Sequence, residues 1–329
     1  MYAPNPGDTD INRSQQISTS VCPLCQAQGS FDFSGTDLMF RGSTSYSYHR
    51  CTDCNLIYQH PIPSIEEISA FYPESYSVYS EPERTLFSRR ELQTLKETLG
   101  YRHLEVSEKR GFLDKLGLAR PVLDVVPCVE AGSVLDVGCG SGEYLLRLQS
   151  IGWKCQGVEF NDKAVSICRS HGLNIFHGDL LSASFDSESF DFVTAHHLIE
   201  HVPDPHELVS EISRITKPGG SVLIRTPNSE SLGRSWFGTD WFANDVPRHI
   251  FLYSEKNLRM LASKYSLRLD SLRKPVKPKL LLKSLDYKFN NRGTPSKKRK
   301  IRKYLARLYI PAARLSGRGD ELFALFTKM

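Results

Sequence analysis

Residues 134–142 read Val-Leu-Asp-Val-Gly-Cys-Gly-Ser-Gly, an apolar strand running into three alternating glycines, and residues 143–149 continue as a helix. Gly138, Gly140 and Gly142 have no Cβ, so the chain can turn sharply and a ligand can approach bare backbone at a helix start. That arrangement suits a nucleotide-type cofactor. The spacing is G-x-G-x-G, not the G-x-G-x-x-G of dinucleotide folds. Seventeen residues past Gly142, a second apolar strand at 156–158 ends in Glu159, whose carboxylate can take both hydroxyls of a ribose. A third strand at 174–176 leads to Gly178-Asp179-Leu180 and sets another carboxylate on the same sheet edge.

A second group of reactive side chains follows the fourth strand, which ends near Ala195 and delivers His196, His197, Glu200 and His201 to the same edge. A histidine titrating near neutrality can remove the proton of a hydroxyl acceptor. His201 is the candidate base, with Glu200 beside it; the alternative is that this segment only fastens a helix and lines the cofactor pocket. A metal variant uses His197, Glu200 and His201, spaced i, i+3, i+4, with His249 from a later loop.

Two further features could act on ligands. Cys22-Pro-Leu-Cys25 and Cys51-Thr-Asp-Cys54 form C-x-x-C knuckles 25 residues apart, which predict a four-thiolate structural zinc site in a ribbon. From Arg268 onward there are 18 Lys and Arg against 4 Asp and Glu, a net of +14 that leaves −9 for residues 1–267. Residues 297–315 combine a basic run with apolar residues at helical spacing, so this helix either packs on its own domain or lies on an anionic membrane.

Strand, glycine loop, helix and strand in alternation predict an α/β fold with a mostly parallel sheet. Asp204 and Pro205 start a helix with Leu208, Val209, Ile212 and Ile215 as its apolar stripe, and residues 221–225 form strand five. The connection from 227 to about 253 is far longer than an ordinary strand-to-helix loop and predicts a functional cover. There Trp236 and Trp241 are expected to wall an acceptor pocket, and Arg248 and His249 to contact a polar or anionic substrate, unless Arg248 simply pairs with Asp245. Residues 321–327 are expected as a final antiparallel strand, and 86–118 as helix over the cofactor edge.

Expected units are a zinc ribbon at 1–62, a linker and helical lid at 63–129, and the catalytic domain at 130–329. The chain has 40% hydrophobic and 24% charged residues, ordinary for a globular protein. No stretch approaches the roughly 18 apolar residues of a spanning helix. No secretory signal is visible, so the expected compartment is cytoplasmic, peripheral to the inner membrane face only in the reading in which the basic helix lies on a membrane.

These pieces resemble class I S-adenosylmethionine-dependent methyltransferases with a Rossmann-like sheet. The resemblance rests on 135–142, Glu159, Gly178-Asp179-Leu180, Phe190-Asp191-Phe192-Val193 with the histidine segment after it, and Lys217-Pro218-Gly219-Gly220. It implies that Asp136, Gly138, Gly140 and Gly142 hold the methionine part, Glu159 the ribose, and Asp179 with Leu180 the adenine. The four-Cys module ahead of this domain is similar to that of sugar C-methyltransferases and related polysaccharide and natural-product enzymes, and is expected to dock on the catalytic domain. The metal variant is similar to O-methyltransferases of ubiquinone biosynthesis and RNA end-methylation, though a Glu commonly stands at the position of His197. The implied acceptor is a small molecule, a sugar or a lipid-linked saccharide, methylated at O or C. An RNA methyltransferase and a non-catalytic scaffold with a vestigial cofactor fold remain alternatives. Nucleic acid is not the expected partner, because the ribbon is poor in basic residues and the Asn/Asp-Pro-Pro-aromatic signature is missing.

Overall fold

The computed structural model describes residues 20–72, 80–83, 86–106, 124–289 and 297–329. Its amino-terminal part is a small antiparallel sheet: β1 (Ser20–Val21), β2 (Gln28–Thr36), β3 (Ser45–Cys51) and β4 (Ile57–Gln59). Residues 1–19 of the expected zinc module lie outside the described residues. Helices α1 (Ile65–Ala70) and α2 (Arg89–Thr98) follow, each started by a serine, Ser64 and Ser88, in a reciprocal capping box with Glu67 and Glu91.

The helix expected over 86–118 is shorter than its pattern suggested. α2 stops at Thr98, where Gly100 turns into the left-handed region and the Leu99 carbonyl accepts from Cys128 N–H instead of continuing the helix. Phe112, Leu113 and Leu116 lie outside the described residues.

The large sheet is built from β5 (Ser133–Val137), β6 (Lys154–Glu159), β7 (Asn174–His177), β8 (Phe190–His196), β9 (Thr216–Pro227), β11 (Leu267–Arg273) and β12 (Glu321–Lys328). Its order is β11-β12-β9-β8-β5-β6-β7. Pairings among β9, β8, β5, β6 and β7 are parallel, while β12 runs antiparallel to both neighbours, as expected for the final strand. Helices α3 (Glu143–Gln149), α4 (Asp162–Ser170) and α5 (Pro205–Ile215) make the crossovers. Central strands are buried on both sides, which is why Val134, Leu135, Phe192, Val193, Val222 and Ile224 read as apolar runs without alternation.

The long connection after β9 folds into α6 (Leu232–Phe237), two single 3₁₀ turns and β10 (Phe251–Leu252); α7 (Glu255–Ser263), capped by Ser254, comes next. β10 does not join the large sheet. It pairs antiparallel with β4, Phe251 opposite Tyr58 and Leu252 opposite Ile57, and so completes the amino-terminal sheet. Cys22, Leu24, Cys51 and Leu56 therefore share one core with Val137, Val193, Ile212 and Phe251. Docking of the four-Cys module on the catalytic domain is thus a property of the fold.

Candidate active site

Strand β5 ends at Val137 and the chain turns through Gly138, Gly140 and Gly142, with φ of 71°, 55° and 79°. A Cβ on Gly138 would meet Leu198 at 3.1 Å and one on Gly142 would meet Leu173 at 2.5 Å. Gly140 is different. Its missing Cβ would face nothing within 4 Å, so open space lies against bare backbone at the carboxyl end of the sheet. Glu159, at the end of β6, is 3% exposed and accepts from the N–H groups of Gly140 at 2.8 Å, Phe160 at 3.0 Å and Asn161 at 2.9 Å. Burial pushes its carboxyl above the ordinary range, although these three donors oppose the shift.

Asp136 lies under the loop, buried, and accepts from Thr194 Oγ1 at 2.5 Å. Burial pushes it up to about 7. Asp179 is exposed and accepts from both the N–H and the hydroxyl of Ser182, while Leu180 is buried below it. The structure thus gathers the predicted donor residues along one edge.

β8 stops at His196, and His197 takes a left-handed conformation at φ 51°, a strained state for a residue with a side chain. That turn carries Glu200 and His201 back toward the edge. Glu200 is fully buried; its Oε1 accepts from His197 Nδ1 at 3.1 Å, and its Oε2 has no hydrogen-bond partner. Burial opposes its charge, but the histidines around it, His197 first, hold the carboxyl down to about 2.

His201 Nδ1 lies 2.9 Å from the Arg248 carbonyl and His249 Nδ1 lies 2.9 Å from the Ala243 carbonyl. A carbonyl only accepts, so both Nδ1 atoms carry hydrogen, and in a neutral imidazole of this tautomer the lone pair is on Nε2. Burial, then the neighbouring His249, push His201 down to about 4, which leaves it neutral at pH 7. One donor atom from each of Glu200, His201 and His249 lies within 4.8 Å of the other two. His197 is outside this trio and acts as a partner of Glu200 instead.

Three contacts from the amino-terminal part hold the trio. Tyr72 Oη lies 2.8 Å from His201 Nδ1, and the Tyr72 ring stands between His201 and Phe160, at centroid distances of 6.2 and 6.5 Å. Tyr48 donates its hydroxyl to the His249 carbonyl at 2.8 Å. Asp37 takes Arg248 at 2.7 and 3.1 Å, and Asp245 takes it at 2.8 Å, which fixes the carbonyl that orients His201. Sequence reasoning missed Tyr72, Tyr48 and Asp37, because nothing in their spacing ties them to residues more than a hundred positions away.

Two expectations for the cover fail. Trp241 is 2% exposed in a core with Phe237, Leu281 and Tyr309, so it has almost no surface with which to wall an acceptor pocket, and Trp236, 47% exposed, packs edge-on against Tyr309. Arg248 is fully buried and neutralised by two aspartates, so it has no free face for a substrate. A further cluster of charged side chains lies across β9 and β12. There Glu321 takes Arg225 at 2.9 and 3.2 Å, Lys277 at 3.4 Å and His197 at 3.6 Å.

The two cysteine knuckles repeat each other. Cys22 N–H bonds to Ala27 O and Cys51 N–H to Leu56 O, and Gln26 and Asn55 occupy the same left-handed position in the two turns. Cys22 and Cys54 Sγ are 3.7 Å apart and Cys25 and Cys51 Sγ 3.4 Å, near the roughly 3.8 Å edge of a zinc–thiolate tetrahedron. Asp53 and Cys54 N–H groups point at Cys51 Sγ at 3.4 Å each, which suits a thiolate. The residues fit a closed tetrahedral zinc site.

Residues 110–272 match a family described as a methyltransferase domain. Over 132 residues the chain is 32% identical to a ubiquinone biosynthesis O-methyltransferase of Thiobacillus denitrificans, covering 37% of this chain and 56% of that protein. A protein of the same description from Coxiella burnetii is 34% identical over 130 residues, with the same two coverages of 37% and 56%. The chain spans about half the length of the curated relatives it matches. A solved S-adenosylmethionine-dependent methyltransferase from Archaeoglobus fulgidus aligns at 20% identity and a TM-score of 0.43, over 60% of this chain and 86% of that one. The matched segment contains the glycine loop, Glu159, Asp179, Glu200, His201 and His249, so these residues all lie in the part of the chain that is similar to a methyltransferase domain.

Proposed function

We propose that the chain transfers the sulfonium methyl of S-adenosylmethionine to an oxygen of a small acceptor, a sugar or a lipid-linked saccharide. The observation that supports this most is the open space in front of Gly140, whose N–H is held by Glu159 at the carboxyl end of the sheet. The names of the curated relatives favour oxygen over carbon. In this reading Glu159 takes the ribose hydroxyls, and the Gly138–Gly142 backbone receives the amino acid end. His201 Nε2 takes the acceptor proton as the oxygen attacks the methyl carbon and the thioether leaves. Positioning can contribute roughly 7–11 kcal/mol and a base about 10² to 10⁴ in rate. The four cysteines would hold zinc as a structural staple, since a module of this size has little core of its own.

A second reading is favoured by Glu200 Oε2, a buried carboxylate oxygen without a partner. Glu200, His201 and His249 offer one oxygen and two nitrogens, and both histidines give their other N–H to a carbonyl, as metal ligands do. A divalent metal held there would polarise the acceptor oxygen. The two readings separate cleanly: a base requires His201 alone, whereas a metal requires Glu200, His201 and His249 alike.

Incubating the chain with S-adenosylmethionine and a panel of nucleotide sugars and lipid-linked saccharides, read by mass, tests the proposal. A gain of one methyl on an acceptor hydroxyl is expected. Donor binding without methylation of any saccharide would remove the acceptor class.

A further inference from the structure

Helix α9 (Lys297–Leu315) carries two apolar stripes, and among the described residues its own domain covers only one of them. Ala306, Tyr309 and Ala313 face inward, packed on α8 (Pro278–Lys288) and the Trp241 core, with Tyr309 and Ala313 fully buried. Leu305, Leu308 and Leu315 point outward at 37%, 53% and 90% exposure, on a face that helical spacing extends to Ala312. Trp236, 47% exposed, stands beside Tyr309. Exposed leucines in such a row are costly in water unless another surface meets them.

The chemistry of that surface follows from charge. Six of the seven residues 297–303 are Lys or Arg, and Arg307 and Arg314 flank the outer leucines. A partner offering both negative charge and an apolar interior is an anionic bilayer. Nucleic acid would use the basic residues and leave the leucines without a role. No helix among the described residues is long and apolar enough to cross a membrane, so the contact is interfacial.

We infer that α9 docks this protein on an anionic lipid bilayer, leucine face down, and thereby brings the acceptor edge to a lipid-borne substrate. The substrate half of that statement rests on the methyltransferase reading above. The link to the site is short. Tyr309 donates its hydroxyl to Asp320, whose other oxygen takes Lys277 N–H at 2.6 Å, and the next residue, Glu321, holds Arg225 beside His197.

The test is co-flotation of the full chain with phosphatidylcholine vesicles with or without phosphatidylglycerol, for the native protein and the Leu305→Glu/Leu308→Glu variant. Binding only to the phosphatidylglycerol vesicles is expected, weakening steeply with salt. The variant should bind about a hundredfold more weakly, since each of the two leucines loses roughly a factor of ten in apolar burial. Its affinity for S-adenosylmethionine and its turnover of a water-soluble acceptor should match the native protein, which separates lost docking from lost folding and from failure of the enzymatic reading. Absence of binding to anionic vesicles would overturn the inference. So would equal binding by the variant, or tight binding to a polyribonucleotide that the variant retains, since the leucines would then be idle.

Discussion

The proposed donor side and the proposed acceptor side sit on one sheet edge but are assembled in opposite ways. Donor residues from Asp136 to Leu180 lie within 45 residues of sequence, whereas Tyr72 and His249, which meet around His201, are 177 positions apart. The donor side is mostly backbone: glycine turns and N–H groups gathered by one carboxylate, Glu159. The proposed acceptor side is mostly side chains, and Tyr72, Tyr48 and Asp37 of the amino-terminal part contact His201, the His249 carbonyl and Arg248 there. Local chain geometry can make the first kind of site alone. The second requires a second sheet, and the pairing of β4 with β10 supplies it.

Breaking that second sheet should have the largest effect. Removing zinc, or replacing Cys51 by Ser, forfeits binding energy on the order of 10 kcal/mol. The melting temperature should collapse and turnover should vanish; a metal-free chain that melts unchanged would show that the thiolates hold no ion. Next in size, His201→Ala should lower kcat by about 10² to 10⁴ and leave donor affinity alone. Retained turnover would remove His201 from the chemistry. Glu159→Ala should do the reverse, weakening S-adenosylmethionine binding by roughly 1–3 kcal/mol in calorimetry with kcat at saturating donor changed far less. If the two variants shifted both parameters together, the division between sides would not hold. Tyr72→Phe loses only an orienting hydroxyl, so a drop in kcat of about fivefold, near 1 kcal/mol, is expected in steady-state assays.

The smallest effect near neutrality concerns His196, which burial, then Arg225, push down to about 3 from an ordinary 6.5. A depressed histidine contributes stability that is fully present above pH 6.5 and is lost as the pH falls toward 3, because the unfolded chain takes the proton first. The His196→Asn variant should therefore lose less stability between pH 7 and 5 than the native chain. Equal slopes in denaturant titrations would contradict that.

The same contrast explains what was legible in the sequence. β5, the glycine turns, α3, Glu159 and β12 were readable because each is set by spacing within a few residues. The knuckles were readable for the same reason, and the trio partly so, since Glu200 and His201 are adjacent. The buried role of Trp241 and the capture of Arg248 by Asp37 were not, because both follow from how the long cover packs against distant elements. Helix α9 shows an intermediate case: its amphipathic pattern was visible, but which stripe the domain would cover was settled only by Tyr309 and Ala313.

Titration of S-adenosylmethionine into the native chain and a Gly140→Val variant, followed by calorimetry, bears most directly on the whole account. One site per native chain is expected. Loss of binding is expected in the variant, where a branched side chain would occupy the open space at φ 55°. A native chain that gives no heat of binding, or a variant that binds as well as it does, would contradict the placement of the donor against Gly140.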